Sequence, residues 1–446
     1  MTTPVRSAAG YLRHLNVFDA TMLVIGGIIG SGIFLNSSVV AQRVGSAGLT
    51  VGVWALGGVA ALAGALVFAE LGARKPQVGG GYVYLRDAFG PLPGFLYGWT
   101  EALVINSGGI AAVSYTFARY ALALVGRPDA PAAPVAVGAI VVLSIINYLG
   151  IKPGSAVQNT FTVLKLVALA GLIAAGLLLP VTHPVPLASV SVHPPVGAFA
   201  TIVVVGTALV PILFSYGGWQ STNFVAEELK NTERDLPRAL VMGTIVVILC
   251  YVLANVVYVK VLGVDRLAAS TAPASDVMRA VLGPAGATLI SLGVAVSTFG
   301  FLNLAILSAP RMYQAMAADG VFFGAAAKLH EEFRVPSVAL MVQGSWAILL
   351  VLTKTYGDLL DFVVFGDWIF FGLTSATLFV YRQRNVGAPG GYRLPGYPWV
   401  PIIMVVVALY TVVSTVASNP RNAALGAALI AAGVPFFYYW RSQRRV

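Results

Sequence analysis

What most constrains this chain is the recurrence of charge-free stretches long enough to cross a bilayer. Twenty-three uncharged residues separate Asp19 from Arg43, 31 separate Arg279 from Arg311, and 27 separate Arg393 from Arg421. A hydrocarbon core needs about 20 apolar residues of helix. Only 10 % of the 446 residues are charged, where soluble domains carry about 25 %, and the mean hydropathy is +0.84. A soluble enzyme is excluded on that ground, and disorder by the apolar content. Turn signals divide the chain into twelve expected spans, at 17–41, 47–72, 91–120, 134–150, 156–180, 199–226, 238–261, 284–316, 335–353, 357–381, 398–418 and 421–440. No alternation of a β-barrel kind appears. The polar stretch before residue 17 lacks the charged-then-apolar order of a cleavable signal, so the first span is expected to be retained.

Lys and Arg residues assign the two sides. Eighteen fall on the side that carries both termini and eight on the other, which predicts cytoplasmic termini in the cell membrane. The net charge of +10 is therefore read as cytoplasmic loops and not as a nucleic-acid surface. The remaining basic residue, Lys165, falls in the fifth span, about nine residues or ~14 Å from its start. A charge at that depth is costly and marks function.

Two spans carry weak points. In the first, Gly26 to Phe34 reads GGIIGSGIF, with five Gly or Ser residues in nine. In the sixth, Phe214 to Gln220 reads FSYGGWQ, with Pro211 just before it. Glycine lowers helix propensity by about 1 kcal/mol relative to alanine, although Gly and Ser also simply permit close packing. Interrupted segments at corresponding places in two halves point to a transport site. An opened helix offers free N–H groups to an anion and free C=O groups to an ammonium. One zwitterion satisfies both, which points to an α-amino acid.

The motifs IIGSGIF (Ile28 to Phe34) and FSYGGWQSTNFVAEE (Phe214 to Glu228) resemble the amino acid–polyamine–organocation (APC) superfamily. More narrowly, they resemble the bacterial relatives of L-type amino acid transporters, the light subunits of heteromeric transporters. Pro76 to Phe89, Leu96 to Leu103 and Phe161 to Leu166 add weaker matches, and the likeness covers nearly the whole chain. It implies an all-α membrane protein of twelve transmembrane helices, forming one polytopic domain over 1–446. A five-plus-five inverted repeat of the LeuT type (17–180 and 199–381) would be followed by two more helices (398–440), with helices one and six broken at the midplane. It also implies that Ser31 and Gly32 give N–H groups to a substrate carboxylate, and that the carbonyls of Ile29, Phe214 and Gly217 accept from its ammonium. Phe214 would be a lid and Trp219 a wall near the substrate side chain. Lys165 matches the family's lysine on the fifth helix. It would stand in for the sodium of other relatives, bridging the first break to Ser297 or Thr298. Pairing with Glu101 is the plainer alternative for it. Glu101 reads as a structural partner or a proton relay. Asp367 stands where mammalian L-type members carry Asn, and reads as a selectivity, proton or vestibule residue. Asp358, Asp361 and most of the run Glu227 to Arg238 read as solvated.

Nothing in the sequence suggests catalysis. No His/Cys/carboxylate cluster has metal-ligand spacing, no phosphate-binding glycine loop occurs, and no nucleophile sits in a catalytic setting. No metal, cofactor or nucleic-acid partner is expected. The single Cys250 permits no internal disulfide. The segment 125–134 lacks the cysteine by which mammalian light subunits hold a heavy chain, so no disulfide-linked heavy subunit is expected. The expected function is sodium-independent transport of L-amino acids by alternating access, as an exchanger of neutral amino acids. Proton-coupled symport is the alternative, and a receptor or channel the reading from another class.

Overall fold

The computed structural model describes residues 10–183, 185, 190–353, 356–387, 391–418 and 420–443, with backbone alone for 356–364 and 418, so the side chains of Asp358 and Asp361 lie outside the description. The chain is all-helical, and among the described residues there is no β-strand. In chain order the helices are α1 (Val17–Ile28), α2 (Gly32–Val44), α3 (Ala47–Arg74), α4 (Gly81–Phe89), α5 (Pro91–Thr100), α6 (Asn106–Leu124), α7 (Ala132–Tyr148), α8 (Ile151–Leu178) and α9 (Ala198–Ser215). They continue with α10 (Ser221–Phe224), α11 (Thr232–Leu262), α12 (Val264–Ala269), α13 (Pro273–Ala318), α14 (Ser337–Thr353), α15 (Tyr356–Gln383), α16 (Trp399–Ser418) and α17 (Pro420–Gln443).

Seven of these (α3, α8, α9, α11, α13, α16 and α17) are long and apolar enough to cross a bilayer, and α1 with α2, bent by 41° at their junction, make an eighth. The chain is thus a multi-pass membrane protein. Local chemistry sets several boundaries. Asn16 caps α1, accepting from the N–H groups of Phe18 and Asp19, while Asp19 accepts from the Asn16 N–H at 2.9 Å, a reciprocal capping box. Left-handed Gly45 ends α2. The expected start of a span at residue 284 falls on a kink at Gly283, within α13. The third expected span holds a π-helical turn, Glu101–Ile105, between α5 and α6.

Helix packing uses small residues where backbones approach. On α3, Gly57 lies under Ile212 of α9, Gly58 under Ile248 of α11, and Gly64 under the ring of Trp219. One end of the bundle is tied by charge. Arg311 of α13 donates through Nε to Glu228 at 2.8 Å, with both side chains buried. Asp319 accepts from Tyr82 at 2.6 Å and pairs with Arg86, both on α4. The segment 10–16 is fastened beneath, with the Leu15 N–H donating to the Glu228 carbonyl at 2.9 Å and the Lys230 N–H to that of Leu15 at 2.9 Å. The run Glu227 to Arg238 is a solvated connector only in part, with Lys230, Asn231, Glu233, Arg234 and Arg238 exposed. Glu227, Glu228 and Asp235 are buried, because they serve this junction and the start of α11.

Candidate functional site

The first helix opens where the sequence loses helix propensity. After Ile28 the chain turns extended at Ile29 (φ −76°, ψ 90°), and helix resumes at Gly32. Opening the helix exposes carbonyls that need donors. Lys165 of α8 supplies two, its Nζ lying 2.7 Å from the Ile29 oxygen and 3.1 Å from that of Gly26. Ser297 of α13 adds a hydroxyl at 3.1 Å from the Ile29 oxygen and 3.2 Å from that of Gly30. Lys165 is fully buried, and among the described residues no carboxylate forms an ion pair with it. At the restart, the first N–H groups of α2 have no intrahelical acceptor, and the Ser31 side chain does not cap them.

The second opening lies between Ser215, the last residue of α9, and Ser221, the first of the single-turn α10. Gly218 has φ +110°, a conformation suited to glycine, and its N–H donates to the Gln220 side-chain oxygen at 2.8 Å. The two openings touch through glycine. A Cβ on Gly27 would stand 2.7 Å from the Gly218 oxygen, and one on Gly32 would stand 2.8 Å from the Ser215 Cβ. The Tyr251 hydroxyl, on α11, lies 3.0 Å from the Ile28 oxygen and 3.3 Å from that of Ser215, bridging the ends of α1 and α9.

Between the openings is a cavity of about 120 Å³. Gly30, Ser31 and Gly32 line it from the first opening, and Phe214, Gly217 and Gly218 from the second. Glu101, at the start of the π-turn, and Asp367, on α15, complete the ionisable lining. The volume lies well below the roughly 300–1,000 Å³ of drug-sized sites. A larger crevice of about 790 Å³, walled by aromatic side chains such as Trp99, Trp346 and Trp440, touches neither opening.

Residues 15–439 match the family model of the amino acid permeases. The chain belongs to that family. It is 30 % identical over 438 residues to the serine/threonine exchanger SteT of Bacillus subtilis, covering 98 % of each chain. It is 31 % identical over 431 residues to the human b(0,+)-type amino acid transporter 1, covering 96 % of this chain and 87 % of that one. To the human large neutral amino acids transporter small subunit 2 it is 31 % identical over 443 residues, covering 97 % and 81 %. The permease is thus a membrane transporter of amino acids and not an enzyme.

The permease brings Ser31, Gly32, Phe214, Gly217, Glu101 and Asp367 to one cavity. Ile29 stands behind it, fully buried, with its carbonyl already taken by Lys165 and Ser297. Three expectations change. Trp219 does not wall the cavity. Its ring is stacked on Phe371 and edge-on to Phe68, because Gly64 leaves a slot for it on α3. Thr298 makes no bridge to the first opening, since its hydroxyl donates within α13 to Val294 and Ala295. Lys165 does not pair with Glu101, because it is spent on α1.

Sequence reading missed Tyr251, Gln220 and Asn36. Asn36 of α2 donates to the Pro211 oxygen at 3.1 Å and the Ser215 hydroxyl at 2.8 Å, fastening α2 to α9. Gln220 follows directly on the glycine pair and was the most findable of the three. Tyrosines in the apolar α11 give no hint that the Tyr251 hydroxyl meets two distant carbonyls.

Proposed function

We propose that this permease exchanges small neutral L-amino acids across the cytoplasmic membrane, without sodium, by alternating access. The observation that carries the reading is the meeting of two opened helices at one small cavity, with a lysine fastened behind the first. The opened N-terminus of α2, at Ser31 and Gly32, suits an α-carboxylate. The carbonyls of Phe214 and Gly217, at the end of α9, suit an α-ammonium. Phe214, 39 % exposed at the rim of the cavity, is positioned to act as a lid. Lys165 holds the charge that a sodium ion would bring, with Ser297 as its companion on the Ile29 carbonyl. The curated relatives include an exchanger of serine and threonine, which agrees with a small cavity.

The twelve-span reading adds α5–α6, α7, α14 and α15 to the eight apolar spans. α9 with α10 would form span six. The repeat reading is supported by contacts that recur when the halves are exchanged. α1 touches α11 as α9 touches α3, and α8 touches α13 as α15 touches α6. α7 touches α13 as α14 touches α6, while α3–α11 and α6–α13 exchange onto themselves. Both termini would be cytoplasmic, so the charged junction around Glu228 and Arg311 would close the inner side. Release inward would then require α1 to tilt away from it.

Uptake into proteoliposomes tests the whole reading, using a panel of radiolabelled amino acids with and without internal substrate, sodium and a pH gradient. Uptake that needs internal substrate and ignores sodium is expected. Sodium-driven accumulation into empty vesicles would overturn it.

A further inference from the structure

We propose that Thr162, aimed by a chain of buried amides, is the latch that holds the inner part of α1 closed, and that Lys165 is the pivot about which that part swings. The inference rests on the reading of transport by alternating access with a tilting α1, and it assigns the motion to particular bonds. α8 grips α1 at three depths with donors spaced three residues apart, about 4.5 Å of rise each. The Asn159 amide donates to Asp19 at 2.7 Å, the Thr162 hydroxyl to the Met22 carbonyl at 3.1 Å, and Lys165 to the carbonyls of Gly26 and Ile29.

Thr162 does not act alone. Asn147 of α7 donates to the side-chain oxygen of Asn303 on α13 at 2.9 Å, Asn303 to that of Gln158 on α8 at 3.0 Å, and Gln158 to the Thr162 hydroxyl at 3.3 Å. Each group donates to the next, so the chain leaves Thr162 its own proton to give and points it at α1. Asn147 is 1 % exposed and the other three are fully buried. Gly26 lets the chain run beside α1, since a Cβ there would collide with Gln158 and Thr162. Asn303 also holds the Gly154 carbonyl at 3.0 Å, which fastens α8 to α13.

The three grips differ in what their loss leaves behind. Met22 lies within α1, where its carbonyl already accepts the N–H four residues on. Thr162, once released, has the Gln158 carbonyl four residues back in its own helix as an alternative acceptor. Thr160 already makes that kind of bond, to Ala156 at 2.9 Å. Neither partner is stranded, so the contact can open and close in every transport cycle. Asn159 and Asp19 are half-buried, and water can replace their bond. Lys165 is different. Ile29 lies past the end of α1, and the Gly30 N–H that an unbroken helix would give to Gly26 turns to Ile28 at 2.9 Å. Releasing Lys165 would leave the Gly26 carbonyl without a donor and the Ile29 carbonyl with Ser297 alone, which an apolar interior penalises. α1 therefore hinges at Gly26 to Ile29 and comes away from α8 at Met22 and Asp19.

The test compares Thr162→Val, which keeps the shape and deletes the donor, with Thr162→Ser, which keeps the donor, in uniformly oriented proteoliposomes of the full chain. Losing one hydrogen bond shifts the balance toward the inward-open form by roughly fivefold, and apparent affinity on each face follows the population open to it. The ratio of outer to cytoplasmic KM for a radiolabelled neutral amino acid should therefore rise by roughly fivefold in Thr162→Val and stay at the wild-type value in Thr162→Ser. A general loss of activity leaves that ratio unmoved. Amide hydrogen exchange of the purified variant should quicken over 17–25 and not over 29–34. An unchanged KM ratio in Thr162→Val overturns the latch, as does a shift that Thr162→Ser shares, or a quickening spread evenly over both stretches. Where Thr162→Val does not fold, Asn159→Ala takes its place, with the same shift expected and an unchanged ratio equally fatal. Absence of any amino acid exchange by the wild type would instead sink the reading beneath it.

Discussion

The two helix openings are built differently. The first is saturated from outside. Lys165, Ser297 and Tyr251 supply donors to the carbonyls of Gly26, Ile28, Ile29 and Gly30. The second has few such supports. Gln220 accepts from the Gly218 N–H and Tyr251 reaches the Ser215 carbonyl, while the glycine pair itself is held by short backbone turns, the Gly217 N–H donating to Phe214 and the Ser221 N–H to Gly218. The contrast teaches that an opened helix in lipid persists where its freed groups find fixed partners. Where they do not, the segment is left to use substrate groups as partners. On this account the first opening is a rigid floor and the second is the part that responds to substrate.

Removing the floor's main support should have the largest effect. Lys165→Ala leaves the Gly26 and Ile29 carbonyls short of donors, at about 1–3 kcal/mol each, so exchange is expected to fall by roughly 100- to 1,000-fold. Lys165→Arg should not restore it, because the planar guanidinium cannot replace a compact ammonium. Near-normal exchange by either variant would refute the floor. Gly218→Ala comes next, since its positive φ and the approach to Gly27 leave no room for a Cβ. Overpacking of about 1–3 kcal/mol predicts a loss of roughly 10- to 100-fold in exchange, whereas Gly217→Ala should be milder, its Cβ meeting nothing nearer than 3.4 Å. Equal losses at the two glycines would contradict the close approach.

Tyr251→Phe and Ser297→Ala each remove one hydrogen bond, worth about 1 kcal/mol. A fall of about fivefold in kcat/KM is expected for each. The comparison is sharpened by making them together with Lys165→Ala. Ser297→Ala should cost more once the lysine is gone than it does alone, because it then removes the remaining side-chain donor on the Ile29 carbonyl, while Tyr251→Phe should add its own effect unchanged. The smallest effect on substrate is expected at Trp219. Trp219→Leu should lower the Tm of the purified protein and change KM by less than about twofold, as befits core packing. A large shift in KM with an unchanged Tm would return Trp219 to the cavity wall.

Much of this arrangement was legible in the sequence because glycine and charge are loud signals in an apolar background. The openings at Ile28 to Gly32 and at Gly217–Gly218 followed from helix propensity, and the importance of Lys165 from its depth. Partners set by three-dimensional contact were not legible. Trp219 sits beside the glycine pair in sequence, yet the slot at Gly64 on α3 draws its ring away. Thr298 neighbours Ser297, but one residue of helix turns its hydroxyl to its own backbone. The charged run after Glu227 looked like a solvated loop because its buried partner, Arg311, lies 83 residues from Glu228. The π-turn at Glu101 has no glycine or proline to announce it.

The central claim is that backbone groups at both openings hold the two charged ends of one α-amino acid. It is tested most directly by competition of a transported amino acid with its own methyl ester and its own N-acetyl derivative. Each derivative neutralises one end and keeps the side chain. The account predicts that both lose competition by at least about 100-fold, and that neither is carried inward when supplied alone. Competition by either derivative within a few-fold of the free amino acid would contradict it.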